Sequence, residues 1–500
     1  MKNLILKLSD LDNVAVARKN LKVGEVGALS HIPSGHKISI CSILKDKPII
    51  KYGHTIGYAK YNIELGEHLH THNVKYKDVD KNYNFSNILN SKEQNLTSEK
   101  SNFMGFKRLD GLVGTRNTIA ILTSVNCSAT AARMIADYFS NDKIKGYPNI
   151  DSVNAFVHST GCGMADNGDG FEALQRVLWG YAKNPNVAGV LMVGLGCEIN
   201  QIDWLLEAYQ IKKSPYFQVL NIQNLCGLRK TVEKGIEKIN NMLPLVNNIK
   251  RSLCPVSNLM LGLQCGGSDA WSGITANPAL GYACDLLVSK GGTGVLAETP
   301  EIYGAEHLLI ARASDHNVSK KLIERIEWWE AYTKRNLGTM DNNPSPGNKM
   351  GGLTTILEKS LGAISKAGKS KLNGVYKYGE IIKDKGFVFM DSPGYDPASV
   401  TGQIASGCNI IAFTTGRGSA FGSKPSPSIK ISSNSGIYDR MPEDMDINAG
   451  VILSQNYSIK EVGTSIYNTL LNVASGEKTK SEIQGLGDFE FVPWQIGAVM

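Results

Sequence analysis

Polar and apolar positions change rhythm twice along this chain. Over residues 1–75, short alternating runs such as Val14 to Ala17, Lys37 to Cys41 and Pro48 to Tyr52 are separated by glycines and by IPSGHK at 32–37. That spacing predicts a small all-β module. Residues 76–103 are rich in Lys, Asn and Ser and show no apolar period. Such a stretch buries too little surface to offset its ordering entropy, so a linker is expected there. After Arg108 the order becomes strand, small-residue loop, helix, and then repeats. TIAILTSV (118–125), VNAFVHST (153–160), VAGVLMVG (187–194) and FQVLNIQN (217–224) are the strands, and a helical pattern follows each one, the last near 228–242. This βα repetition implies a parallel sheet.

The same rhythm continues past residue 250 with longer loops. The apolar run Val256 to Leu261 leads into GLQCGGSDAWSGITANP (262–278), and a helix is expected over 279–288. TGVLAE (293–298), GFVFMD (386–391) and NIIAFTT (409–415) predict further strands, with helices at 317–335, 352–367 and 463–473. A break around Pro244 and Pro255 divides the α/β part into units of 104–250 and 251–500.

Composition narrows the class. Hydrophobic residues at 42% and charged residues at 20% describe a globular protein, and 500 residues call for more than one core. A net charge of +7 without a clustered basic run argues against nucleic acid and suits an acidic small molecule. No apolar run approaches the ~18 residues that span a bilayer, and the N-terminus lacks a cleavage-site pattern. Nine cysteines, an odd number spread along the chain, point to a reducing cytoplasm rather than a disulfide framework.

In a parallel sheet, the loops at the carboxyl ends of the strands share one edge, and ligands bind there. Cys127, Cys162, Cys197 and Cys265 each follow a predicted strand closely, and Glu298, Asp391 and TTGRGS (414–419) occupy the equivalent position at strand ends. Converged single thiols can hold a metal or an iron–sulfur cluster; the plainer reading of each is a small residue at a tight strand-to-helix turn. In GEHLHTHN (66–73), His68, His70 and His72 at period two share a strand face and can chelate a divalent metal, or simply end an exposed strand. Arg417 between glycines offers a fork to a carboxylate. Asn348 and Lys349 in DNNPSPGNK, ahead of a helix expected to start near Gly352, offer point donors to an anion. Arg116 in GTRN, just before a strand, is a weaker site of the same kind. No dinucleotide fingerprint, P-loop or C-x-x-C pair is present.

Taken together, KYGHTIGYA, GEHLHTHN, GFKRLDGLVGTRN, SVNCSAT, TGCG, GLGCE, GLQCGGSDAWSGITANPALG, ETPEIYGAE, DNNPSPGNKMGGLTTILEKSLGA, FMDSPGYDP, FTTGRGS and DMDINAG resemble the altronate and galactarate dehydratase family. The resemblance covers nearly the whole chain outside the linker and leans towards the altronate members. It implies a β-clip (SAF-like) module over 1–75, a middle domain that dimerises, and a C-terminal Rossmann-like domain with a metal site. It also implies iron(II)-dependent removal of water from a sugar acid, with manganese(II) or another divalent ion as the alternative metal.

On that chemistry, Cys265, Asp269 and Glu298 are the expected metal ligands. His70, His72 and Lys349 are the expected catalytic groups. Arg116, Asn117, Asn348, Arg417 and Ser419 are expected to bind substrate. The rival readings are a galactarate dehydratase, a sulfo-lyase on a related hydroxy acid, and a non-catalytic sugar-acid-binding protein.

Overall fold

The structure is a computed structural model that describes residues 4–78, 83 and 101–497. Apart from 76–78, 83 and 101–103, the expected linker lies outside the described residues. The N-terminal module is all β, as its alternation predicts. One antiparallel sheet runs in the order Ile5–Leu6, Val14–Ala17, Lys37–Ser39, His68–Leu69; the other pairs Pro48–Lys51, His54–Ala59 and Val74–Lys75. Val14–Ala17 is buried at all four positions because both of its faces are covered. Ala15 and Ala17 pack on Leu21, Ile32 and Ile38 inside the module, whereas Val16 packs on Trp271 and Ile274 of the C-terminal unit.

The same contact surface holds a fully buried ion cluster. Lys37 Nζ donates to both carboxylate oxygens of Glu358, at 3.0 and 2.9 Å, and to Gly352 O at 2.6 Å. Lys51 Nζ donates to Glu358 Oε1 at 2.8 Å. Two ammonium groups therefore share one carboxylate at 0–1% side-chain exposure.

Two parallel sheets follow. The first has the order Ser152–Phe156, Thr118–Thr123, Val187–Gly194, Phe217–Asn221. The second has seven parallel strands in the order Leu372–Tyr376, Gly386–Met390, Thr293–Leu296, Met260–Cys265, Ile410–Thr415, Ser428–Ser432, Ile447–Asn448. Strand order reverses beside Met260–Cys265, whose sequence successor lies on one side and Ile410–Thr415 on the other. A crevice opens at the carboxyl edge of such a reversal.

One expectation shifts. The strand begins later than expected: Val256–Asn258 forms a 3-10 turn and the strand is Met260–Cys265, so Cys265 ends the strand instead of lying in the loop. Pro244 lies inside the helix Leu228–Asn247, and Pro255 ends the strand Arg251–Pro255. That strand pairs antiparallel with Asn102–Lys107, which pairs in turn with Val113–Gly114.

The C-terminal tail crosses back over both sheets. Phe491 meets Tyr181 edge-on with ring centroids 4.6 Å apart, Trp494 stacks on Trp329 at 5.1 Å, and Gln495 Nε2 donates to Ser159 Oγ at 2.7 Å. Among the described residues, no helix is long and apolar enough to cross a membrane.

Candidate active site

The carboxyl edge of the seven-stranded sheet gathers a buried thiol and two carboxylates. Cys265 closes its strand; Glu298 follows Thr293–Leu296 by two residues; Glu301 ends the 3-10 turn Thr299–Glu301. One donor atom from each lies within 4.8 Å of the other two, and all three residues are buried. Two lysines from the helical segment 356–367 close over them. Lys366 Nζ donates to Cys265 Sγ at 2.8 Å and stands 3.6 Å from Glu298 Oε2. Lys359 Nζ pairs with Glu301 Oε1 at 2.7 Å and donates to Asn343 Oδ1 at 2.7 Å.

Burial and neighbouring charge set the proton inventory. Burial pushes Glu298 well above the carboxylate range, and the adjacent Glu301 pushes it further. Burial acts the same way on Glu301, but Lys359 and Lys366 outweigh it and hold that carboxylate ionised. The Cys265 thiol is pushed up to about 12, chiefly by burial, so it is protonated, and its S–H donates to Glu301 Oε2 at 3.3 Å. Burial, then Glu301, raise Asp396 to about 7.

Glu298 is the anomaly of the group. Its backbone is left-handed at φ 71°, a costly conformation for a non-glycine residue, and neither of its buried carboxylate oxygens has a hydrogen-bond partner. A thiol and two carboxylates, one of them unsatisfied, make a donor set that fits a divalent cation, which takes the place of the protons on Glu298 and Cys265.

Asp269, expected as a ligand, organises the loop. Its Oδ1 accepts from Trp271 N (3.1 Å), Ser272 N (2.8 Å), Ser272 Oγ (2.9 Å) and Ser433 Oγ (2.8 Å), and its Oδ2 accepts from Asn434 Nδ2 at 3.1 Å. TTGRGS supplies Gly416 because a Cβ there would sit 2.2 Å from Asp269 Cγ. Replacing Asp269 by Ala leaves several buried donors unpaired at about 1–3 kcal/mol each. The expected result is a lowered denaturant midpoint with metal content per chain unchanged. A folded Asp269→Ala protein that has lost its metal would make Asp269 a ligand after all.

The histidines come together on the other side of this loop. His68 Nε2 lies 3.0 Å from His36 Nδ1, whose Nε2 faces Met350 O at 3.3 Å, and His70 Nε2 faces Lys349 O at 2.8 Å. His68 also lies beside His70 and His72, with centroids 5.8 and 5.5 Å apart. Burial lowers His36 to about 4, His68 to about 3 and His70 below its ordinary value, so these rings are neutral at pH 7. His36 escaped the sequence reading because IPSGHK is also an ordinary turn.

The remaining candidates divide. Arg417 is exposed, and its backbone amide donates to Gly267 O at 2.9 Å. Ser419 uses its Oγ to accept from Phe421 N. Asn348 and Lys349 lie within the short helix Pro346–Met350, a few residues ahead of the helical segment 356–367, and Asn348 completes a capping box with Ser345 and donates to Ser268 O at 2.8 Å.

Arg116 and Asn117 sit at the amino edge of Thr118–Thr123, opposite the chemistry-bearing loops. Arg116 is consumed by Glu482 (2.6 and 2.8 Å) and by the carbonyls of Thr115, Val473 and Glu477. Asn117 is consumed by Arg108, Asn149 and Val246. Neither has a donor left for substrate.

Glu301, Lys359, Lys366 and Asp396 were missed. ETPE places two glutamates three residues apart, and EKSLGAISK places two lysines seven apart on one helical face, which was the available signal.

The chain matches the family described as D-galactarate/altronate dehydratase, C-terminal, over residues 256–499. It matches D-galactarate dehydratase/altronate hydrolase, second domain, over 105–247, and the altronate/galactarate dehydratase SAF domain over 3–77. It is 35% identical to an altronate dehydratase of Bacillus subtilis (strain 168), covering 96% of this chain and 97% of that one. It is 37% identical to a galactarate dehydratase (L-threo-forming) of Escherichia coli (strain K12), covering 96% and 95%. The beta subunit of a (2R)-sulfolactate sulfo-lyase of Chromohalobacter salexigens is 32% identical over 78% of this chain and 96% of its own.

Proposed function

Because the chain belongs to the D-galactarate/altronate dehydratase family, we propose that this hydro-lyase converts D-altronate to 2-keto-3-deoxy-D-gluconate and water. The observation that carries the reading is the buried Cys265–Glu298–Glu301 group at the strand-order reversal, with two lysines over it.

Dehydration removes the proton beside the substrate carboxylate and expels the neighbouring hydroxyl. The resulting enol relaxes to the 2-keto acid. The proton beside a carboxylate is weakly acidic, so charge stabilisation limits the step. Iron(II), with manganese(II) or another divalent ion as the alternative, would be held by Cys265, Glu298 and Glu301 and supplies Lewis-acid stabilisation of a substrate oxygen. Lys359 and Lys366 add fixed positive charge around that oxygen, and the buried walls exclude water. Arg417, exposed beside Gly267 of the loop that follows Cys265, suits the substrate carboxylate. The imidazoles of His70 and His72 are the proton-transfer groups, with His70 oriented by the Lys349 carbonyl.

A homodimer through the middle unit, 104–250, is supported by exposed Met134, Tyr138, Trp204 and Leu228. A cytoplasmic setting is supported by nine free cysteines. The decisive assay supplies reduced protein and iron(II) with altronate, galactarate and sulfolactate in turn. The 2-keto-3-deoxy acid is expected to form fastest from altronate. Product from galactarate alone would move the assignment to that substrate, sulfite release would make the protein a sulfo-lyase, and no product from any of the three would overturn the proposal.

A further inference from the structure

Cysteine is among the residues most often buried, yet five of the nine here are exposed. Four of those five share one place. Cys162, Cys127, Cys197 and Cys226 follow the carboxyl ends of the four adjacent strands of the middle sheet, in that spatial order. Strands lie about 4.8 Å apart, so the first three thiol-bearing loops sit side by side across about 10 Å.

These three loops are tied to one another next to each cysteine. Asn126 N donates to Thr160 O at 3.0 Å, and Asn200 N donates to Gly161 O at 3.0 Å. Asn200 Nδ2 reaches Ser124 O at 2.9 Å, and Glu198 accepts from Ser124 Oγ at 2.5 Å and from Gly196 N at 2.6 Å. Gly161 permits the closest approach: at φ +102°, a Cβ there would lie 2.3 Å from Ser124 O. Between the loops, Asn200 is 1% exposed and its Oδ1 has no hydrogen-bond partner. A rigid, glycine-packed cradle with surface thiols and an orphaned buried polar atom is an unusual investment for a turn.

From this geometry we propose that Cys127, Cys162 and Cys197 ligate a cubane iron–sulfur cluster, separate from the Cys265–Glu298–Glu301 group. A single tetrahedral ion fits poorly: it would draw its thiolates to within about 4 Å of one another, given metal–sulfur bonds of about 2.3 Å. Among the described residues, only Cys265, Glu298 and Glu301 offer three donors that close. A cluster is several ångströms across and takes thiolates held further apart. Each thiol loses one proton on ligation. Ferrous and ferric iron in equal number and inorganic sulfide supply the cluster core, and no net electron transfer is required. Three thiolates leave one iron with a coordination position open to a solvent oxygen.

The test uses the full chain, reconstituted without oxygen from ferrous and ferric iron and sulfide under a thiol reductant. Bound iron and acid-labile sulfide are then measured, and the cysteines are mapped by alkylation and mass spectrometry. The expected result is equimolar cluster iron and sulfide, visible sulfide-to-iron absorption, and alkylation blocked at Cys127, Cys162 and Cys197 while Cys41 and Cys226 react. Cys127→Ser, Cys162→Ser and Cys197→Ser should each lose most of the sulfide with an unchanged circular dichroism spectrum; Cys226→Ser and Cys41→Ser should keep it. Iron or zinc bound without sulfide, or sulfide retained by all three variants, overturns the proposal. Because sulfide and thiol protection are read independently of turnover, either outcome leaves the altronate assay to stand or fall by itself.

Discussion

Glu301→Gln is expected to lower kcat by about a thousandfold, the upper range for one charged contact in a closed site, and to empty the divalent-metal site. Two consequences combine. The substitution removes one of three converged donors, and it leaves Lys359 facing a neutral amide where a carboxylate stood 2.7 Å away. Glu301 is also one reason Glu298 holds a proton, so the variant makes Glu298 easier to ionise without restoring the lost ligand. Metal analysis, product formation and circular dichroism on the same preparation decide the matter. A folded Glu301→Gln protein with full metal and near-native kcat would remove the trio from the mechanism.

Glu358→Gln should cost about 3–5 kcal/mol of stability, because breaking a buried ion group strands the remaining charges in a low-dielectric interior. Here two ammonium groups are stranded, those of Lys37 and Lys51, at the contact between the β-module and the C-terminal unit. Burial alone would raise Glu358, but Lys37 and Lys51 hold it down to about 2. Its contribution is therefore complete above an unfolded-state value of about 4.3 and is lost as pH falls from there through about 2.

Denaturant titrations at neutral pH and in that acid window check both statements. The wild-type curve should fall more steeply on acidification than that of Glu358→Gln. Replacing all three groups together, as Lys37→Met, Lys51→Met and Glu358→Leu, should recover much of the loss, which a mere packing defect would not do. Equal stability of wild type and Glu358→Gln would sink the argument.

The parallel strands were legible because they are buried on both faces and read as unbroken apolar runs, Thr118–Thr123 and Val187–Gly194 above all. Asn102–Lys107 and Arg251–Pro255 were not. Their outward faces carry Met104 and Leu253, which blur the alternation, and their pairing joins segments far apart in sequence. In the buried group at the sheet edge, the positions of Cys265 and Glu298 could be read from their place at strand ends. Glu301, Lys359 and Lys366 meet only through the packing of a turn against a helix, which no single window displays. The hydrogen bonds of Asp269 were not legible as such, because GSDAWS encodes a side-chain-capped turn whose partners Ser433 and Asn434 come from a distant segment. Arg116 misled because its strand lies after it, which puts it on the wrong edge.

The crossing of the tail has a consequence for how the chain is made. Phe491 and Trp494 complete a cluster whose other members include Leu122, Phe156 and Tyr181 of the middle unit, more than three hundred residues earlier. Domains emerge from the ribosome from the N-terminus onward, and long-range contacts form slowly. The middle unit therefore leaves the exit tunnel with an apolar seam that its own residues do not cover. Val388, Val400 and Ile404 of the C-terminal unit cover most of that seam and Phe491 closes it last, so removing residues 491–497 is expected to leave the cluster open and to raise binding of a hydrophobic dye.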